Sequence, residues 1–242
     1  MIPIRNAVPS RYPPVVTWLL IATNCLVFLL QKSLSPAELE EFLRDFALIP
    51  ARYTAALAYG DLSPDDLFPF FTMMFLHGGW LHLIFNMWTL WLFGPTIEDR
   101  LGHGTFLVFY LVCGVAASLT HVIFSLTSTV PALGASGAIA GVLGFYMRMF
   151  PLARIVVLVP IIFIPLFFEV PAFVFAGIWF LIQVLQGTAE LLMPSSEGVA
   201  WWAHIGGFIA GFVLGAPLRL PERRYRSYQA DEGVLGFDPW GR

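Results

Sequence analysis

The sequence predicts an all-α polytopic membrane protein, a bundle of six transmembrane helices. Of its 242 residues, 58% are hydrophobic and only 12% are charged, too few to solvate the surface of a soluble domain of this size. Uncharged apolar runs of about 20 residues, the length that crosses a bilayer, recur along the chain. The 23 phenylalanines and 8 tryptophans are typical of a lipid-facing surface with aromatic side chains at both interfaces.

Each span is predicted from the length of an apolar run and the polar residues that end it. The sequence His77-Gly78-Gly79 divides a run that is too long for one helix, so the second span begins near Gly79. A turn at 125–133, rich in Ser and Thr and containing Pro131, separates the third span from the fourth. The predicted spans are 13–31, 79–97, two between Arg100 and Arg148, 170–189 and 198–218.

One apolar run, 155–168, does not fit a span. It is short and is interrupted by Pro160 and Pro165, and runs of this length are more often interfacial or re-entrant. We therefore expect an apolar loop lying at the membrane. The predicted organisation is an N-terminus (1–12), a six-span domain (13–218) with an outer loop (32–78), and a polar tail (219–242).

The arginines predict the orientation of the bundle. Six spans place both termini on one side, and that side would carry ten arginines. The other side would carry only Lys32, Arg44 and Arg52. Because cytoplasmic loops are enriched in Lys and Arg, we expect a multi-pass protein of the prokaryotic cytoplasmic (inner) membrane with both termini cytoplasmic.

Few polar side chains lie inside the predicted spans, and such residues are usually functional. His82 and Asn86 are four residues apart on span two, so they share one helix face. Ser136 opens span four and His204 lies early in span six. These three spans run in the same direction, so their polar groups are expected at similar depth in the outer half. This expectation requires that 155–168 does not cross the membrane.

Small residues explain how Ser136 could reach His204. Glycines recur every four residues on spans four and six, a pattern that lets helices approach closely. The predicted helix-packing glycines are Gly134, Gly137, Gly141, Gly207 and Gly211. A serine hydroxyl becomes a nucleophile when an adjacent base takes its proton, and a neutral imidazole can do so.

These residues predict a catalytic Ser136–His204 dyad, because no Asp or Glu is predicted at their depth in the membrane. The tetrahedral intermediate of such a reaction needs hydrogen-bond donors for its oxyanion. His82, Asn86 and the free backbone N–H groups at the start of span four are the candidates.

Four motifs together indicate a family resemblance, because they occur in a particular order and each lies on a particular span. They are His82-Leu-Ile-Phe-Asn86, Glu98-Asp-Arg-Leu-Gly102, Gly134-Ala-Ser136-Gly137 and Ala203-His204-Ile-Gly-Gly207. From the first span to Leu218 the chain resembles the rhomboid family of intramembrane serine proteases. One departure is that many members carry a Trp-Arg pair in the first outer loop, where this chain has Phe68-Pro69.

The resemblance implies an endopeptidase that cleaves transmembrane substrates near their outer membrane boundary. It implies Ser136 as nucleophile and His204 as base. It also implies an oxyanion hole formed by His82, Asn86 and the backbone N–H of Ser136. The implied partners are membrane lipids and transmembrane protein substrates, and no oligomeric state is implied.

Two other functional classes could have a similar sequence. A rhomboid-like protein without activity could bind and escort membrane clients, but such relatives lack the Ser or the His. A small transporter should show internal repeats, and none is seen in the sequence.

No cofactor, metal or nucleic acid is expected. His103 and His121 fall at opposite ends of span three and cannot converge on one ion, and no basic cluster suggests nucleic-acid binding.

Overall fold

The computed structural model describes residues 1–161, 164–192 and 199–217. The predicted tail at 219–242 lies outside these residues. Helices dominate the described part of the chain, which confirms the prediction of an all-α membrane bundle. The helices are α1 (Val15–Ser33), α2 (Pro36–Phe46), α3 (Pro50–Tyr59), α4 (Pro69–Thr72), α5 (Trp80–Leu101), α6 (His103–Phe124), α7 (Ser136–Met149), α8 (Ala172–Leu192) and α9 (Trp201–Leu214).

The helices of the bundle differ in length. By length and composition, α1, α6 and α8 could each cross a membrane. A fourth span is added if α5 and the segment Pro64–Phe75, which meet at a bend of 82°, count as one broken span. Helices α7 and α9 have 14 residues each, or about 21 Å of helix, against about 30 Å for the hydrocarbon core.

The first turn of α1 is capped by a carboxylate from α5. Glu98, which is fully buried, accepts the backbone N–H groups of Val16 at 2.8 Å and Thr17 at 2.7 Å. It also accepts the Thr17 hydroxyl at 2.6 Å and lies 2.5 Å from Nδ1 of His103. Because the first N–H groups of a helix have no partner within it, these bonds attach the start of α1 to the end of α5.

A three-stranded antiparallel sheet replaces the loop expected at 155–168. Its strands are β1 (Ile2–Asn6), β2 (Arg154–Ile161) and β3 (Ile164–Pro171), in the order β1-β2-β3. Isoleucine and valine favour strands, and they make up most of β2. Pro160 pairs with Pro165 one position from the turn, at the end of the ladder, where their missing N–H groups disturb it least.

The hairpin returns the chain to the point at which α7 ended. The N–H of Ala172 donates to the carbonyl of Ala153 at 2.8 Å, and that of Phe173 to Pro151 at 3.0 Å. Segment 155–168 therefore does not carry the chain across the bundle. Helix α8 starts beside the end of α7 and runs back, so α9 runs parallel to α7.

Helix α7 lies at the centre of the bundle. Every residue from Gly137 to Tyr146 is buried, against α5, α6, α8 and α9. The face of the bundle that carries residues 34–79 is called the loop face. Helix α6 has 22 residues and ends at the loop face, whereas α7 has 14. A Cβ on Gly137 would overlap that of Ala117, which lies seven residues before the end of α6 at Phe124. Ser136 therefore lies about 10 Å below that end at the usual helical rise.

Candidate active site

Ser136 and His204 are brought into direct contact by α7 and α9. Ser136 is the first residue of α7, and His204 lies in the first turn of α9. The distance from Oγ of Ser136 to Nε2 of His204 is 2.8 Å. Both side chains are half-buried. This is the distance of a good hydrogen bond and places a base directly on the serine hydroxyl.

Four of the predicted glycines make this contact possible. A Cβ on Gly207 would overlap the carbonyl oxygen of Gly137, and one on Gly211 would overlap that of Gly141. The backbones of α7 and α9 therefore touch at two successive turns, which only residues without a side chain permit. Gly137 and Gly141 also face α6.

Gly134 has a different position from the other four glycines. It precedes α7, has a φ of +130°, and faces the imidazole of His82 on α5 instead of the backbone of a packed helix. A Cβ there would lie 2.7 Å from Nε2 of His82, so the prediction of helix packing does not describe it. Its N–H donates to the carbonyl of Met73 at 2.8 Å. This bond ties the segment before Ser136 to the segment between α1 and α5.

A hydrogen bond to His82 indicates which ring nitrogen carries its proton. The backbone N–H of Gly78 donates to Nδ1 of His82 at 3.5 Å. Since Nδ1 accepts, the neutral ring carries its proton on Nε2, which lies 2.7 Å from the position of a Cβ on Gly134. His82 therefore directs a donor at the turn that leads into Ser136.

Asn86 supplies a second donor on the same face of α5. Its Nδ2 lies 3.0 Å from Nε2 of His77, which uses one of its two hydrogens. The same atom lies 3.6 Å from the position of a Cβ on Gly134. The other hydrogen of this amide is left for the space beside Ser136. The backbone N–H of Ser136 also has no partner within α7, because Ser136 is the first residue of that helix.

The side chains of four residues line one cavity of about 590 Å³: His82, Asn86, Ser136 and His204. Helices α5, α7, α8 and α9 form its walls, and Pro3 of β1 contributes to them. Strand β1 is held against α5 because the indole N–H of Trp88 donates to the Pro3 carbonyl at 2.7 Å. Its apolar lining includes the side chains of Phe85, Ile139, Leu143, Phe175 and Trp179.

The structure places two polar residues at the site that the sequence analysis did not assign to it. Gln183 of α8 places Oε1 2.8 Å from Nδ1 of His204, and His77 holds the Asn86 amide. Gln183 is an uncharged polar residue inside a predicted span, a signal that could have singled it out. Within the described ranges, no three His, Cys, Asp or Glu residues are grouped so that they could hold a metal ion.

Comparison with known proteins adds to this geometry. The Rhomboid domain family matches residues 64–221. The chain is 30% identical over 223 residues to rhomboid protease GluP of Bacillus subtilis, covering 89% of this chain and 37% of that protein. It is 33% identical to the mitochondrial rhomboid protein 1 of Saccharomyces cerevisiae, over 58% of this chain and 39% of that protein.

A third relative is the mitochondrial presenilin-associated rhomboid-like protein A of Danio rerio. It is 33% identical over 47% of this chain and 31% of its own length. The chain thus spans less than two-fifths of the length of each of these three relatives. The family match covers more than half of the chain and includes all four motifs. The chain is therefore a multi-pass membrane protein that belongs to the rhomboid family, whose named relatives include proteases.

Proposed function

We propose that the chain is an intramembrane serine endopeptidase in which Ser136 is the nucleophile and His204 the general base. The observation that carries this proposal is the 2.8 Å contact between Oγ of Ser136 and Nε2 of His204. It is supported by the rhomboid family match and by similarity to a protein named as a rhomboid protease. Relatives in which the Ser or the His is lost would lack this contact.

The first half of the proposed reaction forms an acyl-enzyme. Oγ of Ser136 attacks the carbonyl carbon of the scissile peptide bond, and its proton passes to Nε2 of His204. The tetrahedral intermediate collapses when Nε2–H of His204 gives that proton to the leaving amine nitrogen. Water then attacks the ester by the same route, releasing the acid and restoring Ser136.

The charge that develops on the substrate oxygen is proposed to be stabilised by three donors. These are Nε2–H of His82, Nδ2–H of Asn86 and the backbone N–H of Ser136. The first two lie around Gly134, in a half-buried cavity where hydrogen bonds to an oxyanion are stronger than in water.

The proposed substrate is a transmembrane segment cut near its outer membrane boundary. The apolar cavity walls on α5 and α8 suit an apolar peptide. Ser136 lies about 10 Å below the loop-face end of α6, because Gly137 packs at the level of Ala117. With the loop face outward and both termini on the cytoplasmic side, this depth is in the outer half of the bilayer. The arginine distribution supports that orientation, for which a prokaryotic inner membrane is the proposed setting.

Cleavage of a membrane-embedded reporter tests the proposal. The purified chain in liposomes is mixed with a protein that carries one transmembrane segment, and the products are measured by mass spectrometry. Ser136→Ala is expected to abolish cleavage, whereas Ser125→Ala, in the turn after α6, is expected to leave it unchanged. Equal cleavage by the wild-type chain and Ser136→Ala would rule the proposal out.

A further inference from the structure

The imidazole of His204 has a second partner on the side away from Ser136. Its Nδ1 lies 2.8 Å from Oε1 of Gln183 on α8. Gln183 is 4% exposed and is not among the residues that line the cavity. Its side chain is therefore placed to act on His204 without meeting a substrate.

The orientation of the Gln183 amide follows from its other hydrogen bond. Its Nε2 donates to the backbone carbonyl of Trp179, one turn earlier on α8, at 3.2 Å. A backbone carbonyl can only accept, so the NH₂ end of the amide must face Trp179. The oxygen of the amide must then face His204.

The tautomer of His204 follows in turn. An amide oxygen can only accept, so Nδ1 of His204 must carry a hydrogen to bond Gln183. In the neutral ring, Nε2 is then unprotonated and presents its lone pair to the Ser136 hydroxyl at 2.8 Å. The opposite tautomer would donate Nε2–H to Ser136 and could not take its proton.

Aromatic side chains hold the ring in the plane that these bonds require. Trp201 meets His204 edge to face, with ring centroids 6.2 Å apart and planes at 90°. Trp179 lies on another side, with centroids 5.9 Å apart. Such packing limits ring rotation, but it does not select between the two tautomers, since these have the same shape.

We propose that Gln183 is a positioning residue that keeps neutral His204 in the Nδ1–H form, so that Nε2 is always ready to act as base. This inference rests on the proposed function of Ser136 and His204. Gln183 continues to accept from Nδ1–H after Nε2 has taken the serine proton. The dyad is thus extended by an uncharged amide, which avoids the large penalty of a carboxylate at this depth.

The first test uses a fluorophosphonate probe and the whole chain in detergent. Oγ of Ser136 attacks phosphorus, fluoride leaves, and the serine proton passes to Nε2 of His204. Gln183→Met has nearly the same length and volume but offers Nδ1–H only the weakly accepting thioether sulfur. Gln183→Glu restores an acceptor. Gln186→Met is the matched control, since Gln186 is exposed on the same helix.

The expected result is a change in the chemical step alone. One neutral hydrogen bond contributes about 1 kcal/mol, so the maximal inactivation rate of Gln183→Met should fall roughly fivefold at unchanged probe affinity. Gln183→Glu should recover most of the rate, and Gln186→Met should match wild type. An unchanged rate in Gln183→Met, or a loss confined to probe affinity, overturns the inference.

A second measurement does not depend on how the variants fold. Nitrogen-15 spectra of the histidine-labelled wild-type chain, with His204 assigned by comparison with His204→Asn, report which ring nitrogen is protonated. Protonated Nδ1 and bare Nε2 are expected, and a proton on Nε2 overturns the inference. If the probe does not label wild-type Ser136, the proposed catalytic function has failed, whereas the spectra still decide the tautomer.

Discussion

Gly207 of α9 lies against the carbonyl oxygen of Gly137 of α7 so closely that a Cβ on Gly207 would overlap that oxygen. Gly137 directly follows Ser136, and Gly207 lies about one turn beyond His204. The backbone contact therefore sets the separation of the two helices at the level of the 2.8 Å bond between Ser136 and His204. Helix packing and the proposed chemistry depend on the same two glycines.

Gly207→Ala is expected to push α9 away from α7 and to break the Ser136–His204 hydrogen bond. Overpacking of this kind usually costs about 1–3 kcal/mol, and a displacement of about 1 Å at a reacting pair can slow a reaction roughly a hundredfold. Thermal unfolding in detergent and the rate of reporter cleavage measure the two effects.

Gly177→Ala is the control for that substitution. Nothing lies within 4 Å of a Cβ on Gly177 of α8, and alanine in a helix is favoured over glycine by about 0.5–1 kcal/mol. This variant should be as stable as wild type or more so, and fully active. If Gly207→Ala behaves like Gly177→Ala, the backbone contact does not set the geometry of the dyad.

Asn86→Ala tests the proposed oxyanion donors. Removal of one such donor typically lowers kcat by roughly 10²- to 10³-fold, and KM should change little because the bond strengthens only as the oxyanion forms. The measurement is kcat and KM for the reporter. His77→Ala should have a smaller effect on kcat, roughly fivefold, since it removes the ring nitrogen that orients the Asn86 amide but leaves the amide itself in place. A raised KM at normal kcat would contradict the oxyanion role.

Glu98→Ala is expected to destabilise the bundle by about 2–4 kcal/mol without touching the cavity. It leaves the first N–H groups of α1 and the Thr17 hydroxyl without their buried acceptor. Thermal unfolding in detergent checks the size of the loss. Glu40→Ala is the comparison, because Glu40 meets Arg44 at 3.6 Å on an exposed surface and such pairs contribute little. Equal unfolding temperatures for the two variants would argue against the capping role of Glu98.

Trp88→Phe should loosen the strand that forms part of the cavity wall. The substitution removes the indole N–H that holds Pro3 to α5, and one lost bond of about 1 kcal/mol permits roughly fivefold faster local opening. Hydrogen–deuterium exchange across Ile2–Asn6 measures this local opening of β1. Trp91→Phe, at an exposed position on the same helix, should leave the exchange of β1 unchanged. Identical exchange in both variants would mean that this bond does not hold the strand.

Much of the fold could be predicted because the membrane imposes simple rules on sequence. Long apolar runs gave the positions of α1, α5, α6 and α8. His82, Asn86, Ser136 and His204 were found because polar groups are rare in such runs. The structure places these four side chains around one cavity.

The sheet could not be predicted, for two physical reasons. Strand β1 is five residues long and pairs with a partner more than 140 residues away, so no local pattern marks it. In β2 and β3, Pro160 and Pro165 were interpreted as interruptions of a short apolar run that forms a loop, yet they lie opposite each other near the turn of a hairpin. Only the register of the hairpin shows that they are tolerated there.

Gln183 and Gly134 show a second limit of sequence reasoning. A glutamine in an apolar helix reveals nothing of its hydrogen-bond partner until the neighbouring helix is placed beside it. For Gly134, the sequence indicates a small residue near Ser136, but the direction in which a Cβ would point depends on its φ of +130°. Gln183 contacts His204 of α9, and Gly134 faces His82 of α5.

The most direct test of the Ser136–His204 pair is the site at which a fluorophosphonate probe attaches. Tryptic peptides of the labelled wild-type chain are expected to carry the adduct on Ser136, while His204→Ala should carry none, because no base then accepts the serine proton. A probe that attaches to another residue, or that labels Ser136 equally well in His204→Ala, would contradict a dyad built on the 2.8 Å contact between these side chains.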